Sequence, residues 1–484
     1  MRTSFLGLVL ISLIALLPPS AVSARQPAAS SPPPSAPAGA PDDSSHSPGE
    51  SLHPPEEPSH SPGESSHSHS LFTQSLPDAG TRLVIVAKGI PDSLVTGAAP
   101  PEAGDDLQRI VAEAPDSSII FVEGHHWLKP QAYTEDTCGN CENPATKVTA
   151  TAGLVVSGRW KWLVGASPDK SVIHTNAGYG IVFENCEACL VESLTVTDGV
   201  RDRDANATDA AIVVKNSTVT VTQCRIRDNI GDSAVVRETV VGIIGVAVRE
   251  GSLCEVVENE ILRNSWDGVA VYRNGRAKID DNLIDGIDMA RGEQIGGGRG
   301  VGIGITWNAK VAMKGNLVRR YWKGIGLFVD AHALVVGNVI EDVATWGFSL
   351  WDAGKGHPFT MFLGNVIFRT GACGAALVRA DTVDTEAGLF MKNILVMTGQ
   401  NPKYDSGEPY CYQEALAVHK VPSFFRIEEN LFFANREPGD ARGSRDMTKE
   451  EFLERIVPFE TSLRQSAVFE RSEFLKWLDS LRRN

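Results

Sequence analysis

Short runs of alternating apolar and polar residues recur along the chain in two forms. One opens with glycine: Gly245-Val246-Ala247-Val248, Gly268-Val269-Ala270-Val271, Gly302-Ile303-Gly304-Ile305 and Gly324-Ile325-Gly326-Leu327. The other carries an asparagine: Glu258-Asn259-Glu260-Ile261, Asp281-Asn282-Leu283-Ile284, Gly315-Asn316-Leu317-Val318, Gly337-Asn338-Val339-Ile340 and Gly364-Asn365-Val366-Ile367. Asn393 and Asn430 read as later members, and Cys224 holds the equivalent slot one turn earlier. Alternation with period two marks a strand with one buried face, so Val246, Val248, Val269, Val271, Ile303 and Ile305 are expected inside. Ala277, Ile279, Val311, Met313, Ala333 and Val335 do the same on the strand before the asparagine. Each asparagine is placed at a tight bend, where its amide bonds backbone, tolerates unusual φ and stacks on the next. Each glycine is expected to open its strand at a sharp turn. Three short strands and three bends make one coil of roughly two dozen residues, stacked as a solenoid. Asn259 to Asn282 spans 23 residues, Asn316 to Asn338 spans 22, and Asn282 to Asn316 spans 34. The excess is assigned to a loop at Asp288–Arg299, and the long step from Gly347 to Asn365 to an insertion around Gly354–His357.

The flanks read differently. Asp105–Ala114 has helical apolar spacing and leads into the strand Ile119–Val122, a plug for the N-terminal end of the stack. Thr448-Lys449-Glu450-Glu451 is a capping box opening a helix to about Ile456, and a second helix is expected over Ser472–Leu481. The division is a signal peptide over 1–24, a Pro/Ser/His-rich disordered linker over 25–78, the solenoid over 79–435 and a helical C-terminal cap over 436–484. The signal rests on Met1-Arg2, the apolar run Phe5–Leu17 and the small-residue pattern Val22-Ser23-Ala24. It predicts a secreted, periplasmic or cell-surface protein with no transmembrane segment after cleavage, and capped ends favour a monomer. A net charge of −15 argues against a nucleic-acid partner.

With these repeats, residues 81–435 resemble the pectin-lyase-like superfamily, in the subset whose repeats pair Gly-Ile-x-Leu with Asn-x-Ile. The resemblance implies an all-β fold: a single-stranded right-handed parallel β-helix with an N-terminal helical cap and C-terminal helices. It also implies a ligand lying along the outer face of the glycine-led strand. That superfamily holds polysaccharide lyases, glycosyl hydrolases, uronate epimerases, periplasmic copper-maturation factors and tail-spike or adhesin modules, so the fold does not settle an activity. The polygalacturonase-type motifs are absent: Asp280-Asp281 precedes a ladder asparagine and His357 lies in Gly-His-Pro. No catalytic residue carries over.

On the predicted outer face the residues two after each glycine are small, and Trp266, Trp307, Trp322 and Trp351 rim them, with Arg299 nearby. Aromatic faces stack on sugar rings while acids and amides take hydroxyls, so these are the expected polysaccharide-binding residues; anchoring the loops that cover the face is the competing role. For β-elimination or epimerisation of a uronate, Lys323, Tyr272 or Arg273 is the candidate base and Arg299 or Arg273 the candidate cation. Asp267, Asp330 and Asp352 are the candidate acid/base pair of a hydrolase, or oxygen ligands for Ca²⁺, or plain bend residues. No cofactor follows from the sequence beyond that optional Ca²⁺, and the metal is unknown. A non-catalytic module binding glycan or a partner through the same face is the alternative function. Cys138-Gly139-Asn140-Cys141 and Cys186-Glu187-Ala188-Cys189 read as disulfides in an oxidising compartment, with a four-thiolate zinc site as the other reading. Cys254 is expected in the core, and Cys373 and Cys411 are a further possible pair.

Overall fold

The computed structural model describes residues 83–91, 95, 106–135, 137–287, 300–380, 388–404, 413–422, 424–438 and 445–483. The expected signal peptide and linker, the loop 288–299 with Arg299, and Cys411 lie outside the described residues. The chain divides into two compact units, Met1–Gly80 and Thr81–Asn484, and everything described belongs to the second.

The alternating runs form a right-handed parallel β-helix. Each coil supplies one strand to a glycine-led sheet, one to a pre-asparagine sheet and one to a post-asparagine sheet. Around Asn282, for example, these are Val269–Val271, Arg276–Asp280 and Leu283–Asp285. Strands of successive coils pair in parallel and in register: Val246 sits over Val269, Val269 over Ile303, Ile303 over Ile325 and Ile325 over Phe348. Like residues therefore stack inside, and Val246, Val248, Val269, Val271, Ile303 and Ile305 are all 0% exposed. Further along, Phe348, Phe362 and Phe390 continue the core as a ring stack, with centroids 4.2 and 5.1 Å apart.

The asparagines form a continuous ladder. Oδ1 of Asn282 accepts from the backbone N–H of Asn259 at 2.9 Å and from its Nδ2 at 3.0 Å. The same pair of bonds repeats from Asn282 to Asn316, Asn316 to Asn338, Asn338 to Asn365, Asn365 to Asn393 and Asn393 to Asn430. Cys224 joins it through its backbone N–H, which donates to Asn259 Oδ1 at 2.9 Å. Nδ2 of Asn282 also donates to Val256 O at 2.8 Å, so a buried amide has both hydrogens spent.

Two expectations are corrected. The unusual backbone belongs to the residue before the asparagine: Glu258, Asp281, Gly315, Gly337 and Gly364 have φ between 55° and 70°. The strand-opening glycines serve close approach. A Cβ on Gly302 would stand 2.7 Å from the carbonyl oxygen of Gly324 and 2.2 Å from Val318 Cγ1. The space between neighbouring coils there has no room for a side chain on the glycine.

At the N-terminal end the helix Asp106–Glu113 buries Leu107 and Val111 in the core, and Ser118–Trp127 follows as a long strand. It bends at Gly124 (φ 78°) and so joins the pre- and post-asparagine sheets. At the other end Thr448 and Glu451 form the expected capping box on the helix Lys449–Arg455. Two more helices, Val457–Leu463 and Glu473–Arg483, follow. The helices do more than cap an end. Phe452, Phe474, Leu475 and Leu478 pack on an apolar row, Leu283, Leu317, Val339, Val366, Ile394 and Leu431, on the outer side of the post-asparagine sheet. Glu341 clamps them: its buried carboxylate accepts from Ser472 Oγ at 2.9 Å and from the N–H groups of Glu473 and Phe474 at 3.0 Å, satisfying first-turn donors of the last helix.

Candidate functional site on the glycine-led face

The outer side of the glycine-led sheet is covered in its first half. An antiparallel hairpin of Gln131–Glu135 with Val148–Arg159 lies beside the strand Tyr179–Glu187. Under it Arg249, 0% exposed, donates to Glu135 Oε1 at 3.0 Å and Thr208 Oγ1 at 2.7 Å, while Tyr179 Oη donates to Glu135 at 2.6 Å. The hairpin's loop, with Cys138 and Cys141 joined by a disulfide, packs among Ala247, Ala270, Tyr272 and Trp266. Its tip reaches further: Asn140 Oδ1 accepts from Trp307 Nε1 at 3.2 Å, the Glu142 carbonyl from Arg273 at 3.3 Å, and the Glu142 carboxylate meets Lys355 at 2.8 Å. Trp266, Trp307 and Arg273 thus anchor a covering loop, the competing role considered for the aromatics. Val148–Arg159 is itself the first coil strand of the glycine-led sheet, whereas Gln131–Glu135 pairs antiparallel with it and has no counterpart in later coils, which is why the repeat pattern did not reveal it.

At the edge of the loop, which packs on Tyr272, three candidates converge: Asp267, Tyr272 and Lys323. Asp267 precedes the strand Val269–Val271, and its Oδ1 accepts from the Val301 N–H at 2.6 Å. Its Oδ2 accepts from Tyr272 Oη at 3.4 Å and hangs over Gly304, where a Cβ would stand 3.1 Å from it. Burial pushes the Asp267 carboxyl up to about 7, against the pull of the Val301 N–H, the Tyr272 hydroxyl and the Lys323 charge. Burial, with Asp267 beside it, drives the Tyr272 phenol well above its ordinary range. Lys323 Nζ lies 4.8 Å from the Phe328 ring centre and 4.9 Å from that of Trp346, a cation between aromatic faces. The Arg273 guanidinium stacks over Trp307 at 4.5 Å. Trp346 stands directly before Gly347, and its place beside Lys323 depends on the stacking of neighbouring coils, which no local pattern shows.

The remaining candidates stand apart. Asp330 Oδ1 accepts from the Asn308 N–H at 2.6 Å. Asp352 accepts from the N–H groups of Gly354 and Ala380, the nearer at 2.9 Å. Both are bend residues holding backbone. Trp322 meets Tyr404 edge-on at 6.1 Å, and Trp351 is 49% exposed. Among the described residues no group of three His, Cys, Asp or Glu is placed to hold a metal ion. Cys186 and Cys189 are thiols, not the expected disulfide, and donate to the carbonyls of Val156 at 3.1 Å and Gly158 at 3.6 Å, so with Cys138 and Cys141 joined, the four sulfurs do not make a zinc site. A cavity of about 530 Å³ lies on another flank, lined by Arg319, Arg320, Asp342, Arg369, Arg471 and Glu473 among others. Its arginines are largely paired to acids, Arg319 and Arg320 to Asp285 and Arg369 to Asp342, so it stitches the last helix to the coils and takes no part in this site.

This architecture defines a right-handed parallel β-helix with a polar and aromatic patch on one outer face. Residues 152–290 and 210–388 match the family described as right handed beta helix region, and the chain is a right-handed parallel β-helix repeat protein. No curated protein matches it. Similar solved structures include the Dettilon tailspike protein (13% identity, 70% of this chain and 68% of that one, TM-score 0.37). The Azotobacter vinelandii mannuronan C-5 epimerase AlgE4 A-module is another (10% identity, 72% and 97%, TM-score 0.35). A third is the catalytic unit of the GH87 alpha-1,3-glucanase of Streptomyces thermodiastaticus strain HF3-3 (11% identity, 77% and 68%, TM-score 0.39). At these identities the likeness is one of fold. No helix among the described residues is long and apolar enough to cross a membrane.

Proposed function

We propose that the chain is an exported carbohydrate-active β-helix that acts on a uronate-bearing polysaccharide by β-elimination or epimerisation, at the patch around Asp267. The observation that carries this reading is a buried carboxyl pushed up to about 7, bonded to a tyrosine and beside a lysine, with aromatic faces around it. A group that gains and loses its proton near neutrality is what abstraction of the proton beside a sugar carboxylate needs. In this reading Asp267 moves the proton. Lys323, held as an ammonium between rings, neutralises the charge that builds on the uronate carboxylate. Tyr272, whose proton is held tightly at neutral pH, orients Asp267, and Trp346 and Phe328 offer faces to the ring.

The second reading, a non-catalytic glycan- or partner-binding module, draws on the loop tip seated on Trp307 and Arg273 and on Asp330 and Asp352 being spent on backbone. One experiment separates the two. The full chain is incubated with alginate, polygalacturonate and neutral glucans, following the ultraviolet absorbance of unsaturated uronate, exchange of solvent deuterium into the sugar, and reducing ends. The expected result is unsaturated product or exchange on an acidic polysaccharide, reduced at least a hundredfold in Asp267→Asn and Lys323→Met. Binding without either signal would establish the module and sink the enzyme.

A further inference from the structure

Away from this patch, acids gather at the corner before the strand Ala210–Lys215. Two of them fasten the corner to the first coil strand, Val148–Arg159. Asp202 Oδ2 accepts from the Thr151 N–H at 2.8 Å and Oδ1 from Thr151 Oγ1 at 3.0 Å, and Asp204 Oδ2 accepts from the Thr149 N–H at 2.8 Å. Asp209 lies behind Asp202 and is 1% exposed. Its Oδ2 accepts from the buried Arg201 guanidinium and from the Asp202 N–H at 2.7 Å. Its Oδ1 is buried too, and no donor among the described residues reaches it. That oxygen faces the Asp202 carboxylate. A Cβ on Gly178 would meet Asp202 Oδ2 and Asp209 Oδ1 together, the second at 2.6 Å, so both oxygens border one space that only a glycine leaves open. Two carboxylate oxygens facing each other out of water need a hydrogen between them. Charge asks for the same: Arg201 is one cation beside two carboxylates, and one proton makes the trio neutral. Burial pushes the Asp209 carboxyl up to about 7, against the pull of Arg201 and with Asp202 adding to the rise. The other charged groups around the corner are engaged elsewhere. Arg203 pairs with Glu238 at the surface, and Arg249 and Tyr179 bond Glu135 beneath the hairpin.

We infer that Asp209 carries a proton on Oδ1, donates it to Asp202, and thereby forms a pH-sensitive latch that seats the start of Val148–Arg159, and with it the covering strand Gln131–Glu135. With the proton in place Asp202 keeps its hold on Thr151. The folded chain holds this proton up to about pH 7, whereas the unfolded chain releases it near 3.8. The latch is therefore closed on the acid side and weakens as pH rises through neutrality. The proton then passes to water, and two charged carboxylates in contact are left with one guanidinium. Asp202, the less buried of the two, turns outward and lets go of Thr151. The strand that covers the glycine-led face loses one of its two carboxylate fastenings.

The test follows amide hydrogen exchange of the full chain from about pH 5 to about pH 9, with labelling times scaled to the intrinsic exchange rate. The expected result is steady protection over residues 131–135 and 148–152 on the acid side, falling about tenfold as pH passes neutrality, while the coils from 301 to 378 keep theirs. Asp209→Asn places a permanent donor where Oδ1 stands, and its amide oxygen still accepts from Arg201 and the Asp202 N–H. That variant should hold its protection across the whole range. In the infrared, the band of protonated carboxyls should be weaker in Asp209→Asn than in wild type on the acid side. Wild-type protection with no step near neutrality would overturn the latch, whether or not the variant folds. The same step in Asp209→Asn would assign it to another group and overturn the inference as well, and an infrared band of equal strength in both would remove the shared proton.

Discussion

The Asp267 carboxyl is where residue chemistry and stability meet. Its proton is held in the folded chain up to about pH 7, whereas the unfolded chain releases it near 3.8. Between those values the folded state binds more protons, so this contribution is present at low pH and is lost as pH rises through the folded pKa. The difference amounts to on the order of 4 kcal/mol. Urea unfolding of wild type and Asp267→Asn from pH 4 to 8 should show wild type losing ground against the variant until about pH 7, then a constant gap. A gap independent of pH would remove the shifted carboxyl. Sequence offered Asp267, Asp330 and Asp352 as equals. What separates them is which backbone N–H groups the neighbouring coil presents and how deeply each is covered, and neither is written in the local pattern.

At the scale of elements, the legible parts are those every coil must repeat. Period-two alternation, the asparagine at one corner and the glycine at another are imposed by identical neighbours above and below, so they survive as a pattern. The strand Gln131–Glu135, antiparallel to the first coil strand Val148–Arg159, answers to that strand alone and leaves no periodic trace. The C-terminal helices were legible as helices through the Thr448 capping box, but their sideways seat depends on Leu317, Val339 and Val366, which alternation alone assigns to solvent. Glu341 holds that seat. In Glu341→Ala, Ser472 and the first N–H groups of the last helix lose a buried acceptor, at a cost of about 3 kcal/mol. Amide hydrogen exchange should show protection falling over residues 449–483 while the strands between 244 and 378 keep theirs. Uniform loss would mean that the helices and coils unfold as one unit.

For the whole molecule, the asparagine ladder has a consequence for length. Each rung meets only the next, and the rungs Asn316 and Asn338 are 22 residues apart with matching neighbours on both sides. The chain is therefore a ruler graduated in coils, and one graduation can be spliced out. Excising residues 316–337 joins Gly315 to Asn338, sets Asn338 on Asn282 and Gly347 on Gly302, and shortens the stack by about 4.8 Å. That variant should give the strand circular dichroism of the parent and still unfold cooperatively in urea. Excising only 316–326 puts each strand against the wrong sheet and should leave a chain that does not fold. If both behave alike, the coils are not interchangeable units. If they differ, the stack can gain or lose whole coils without redesign of what remains.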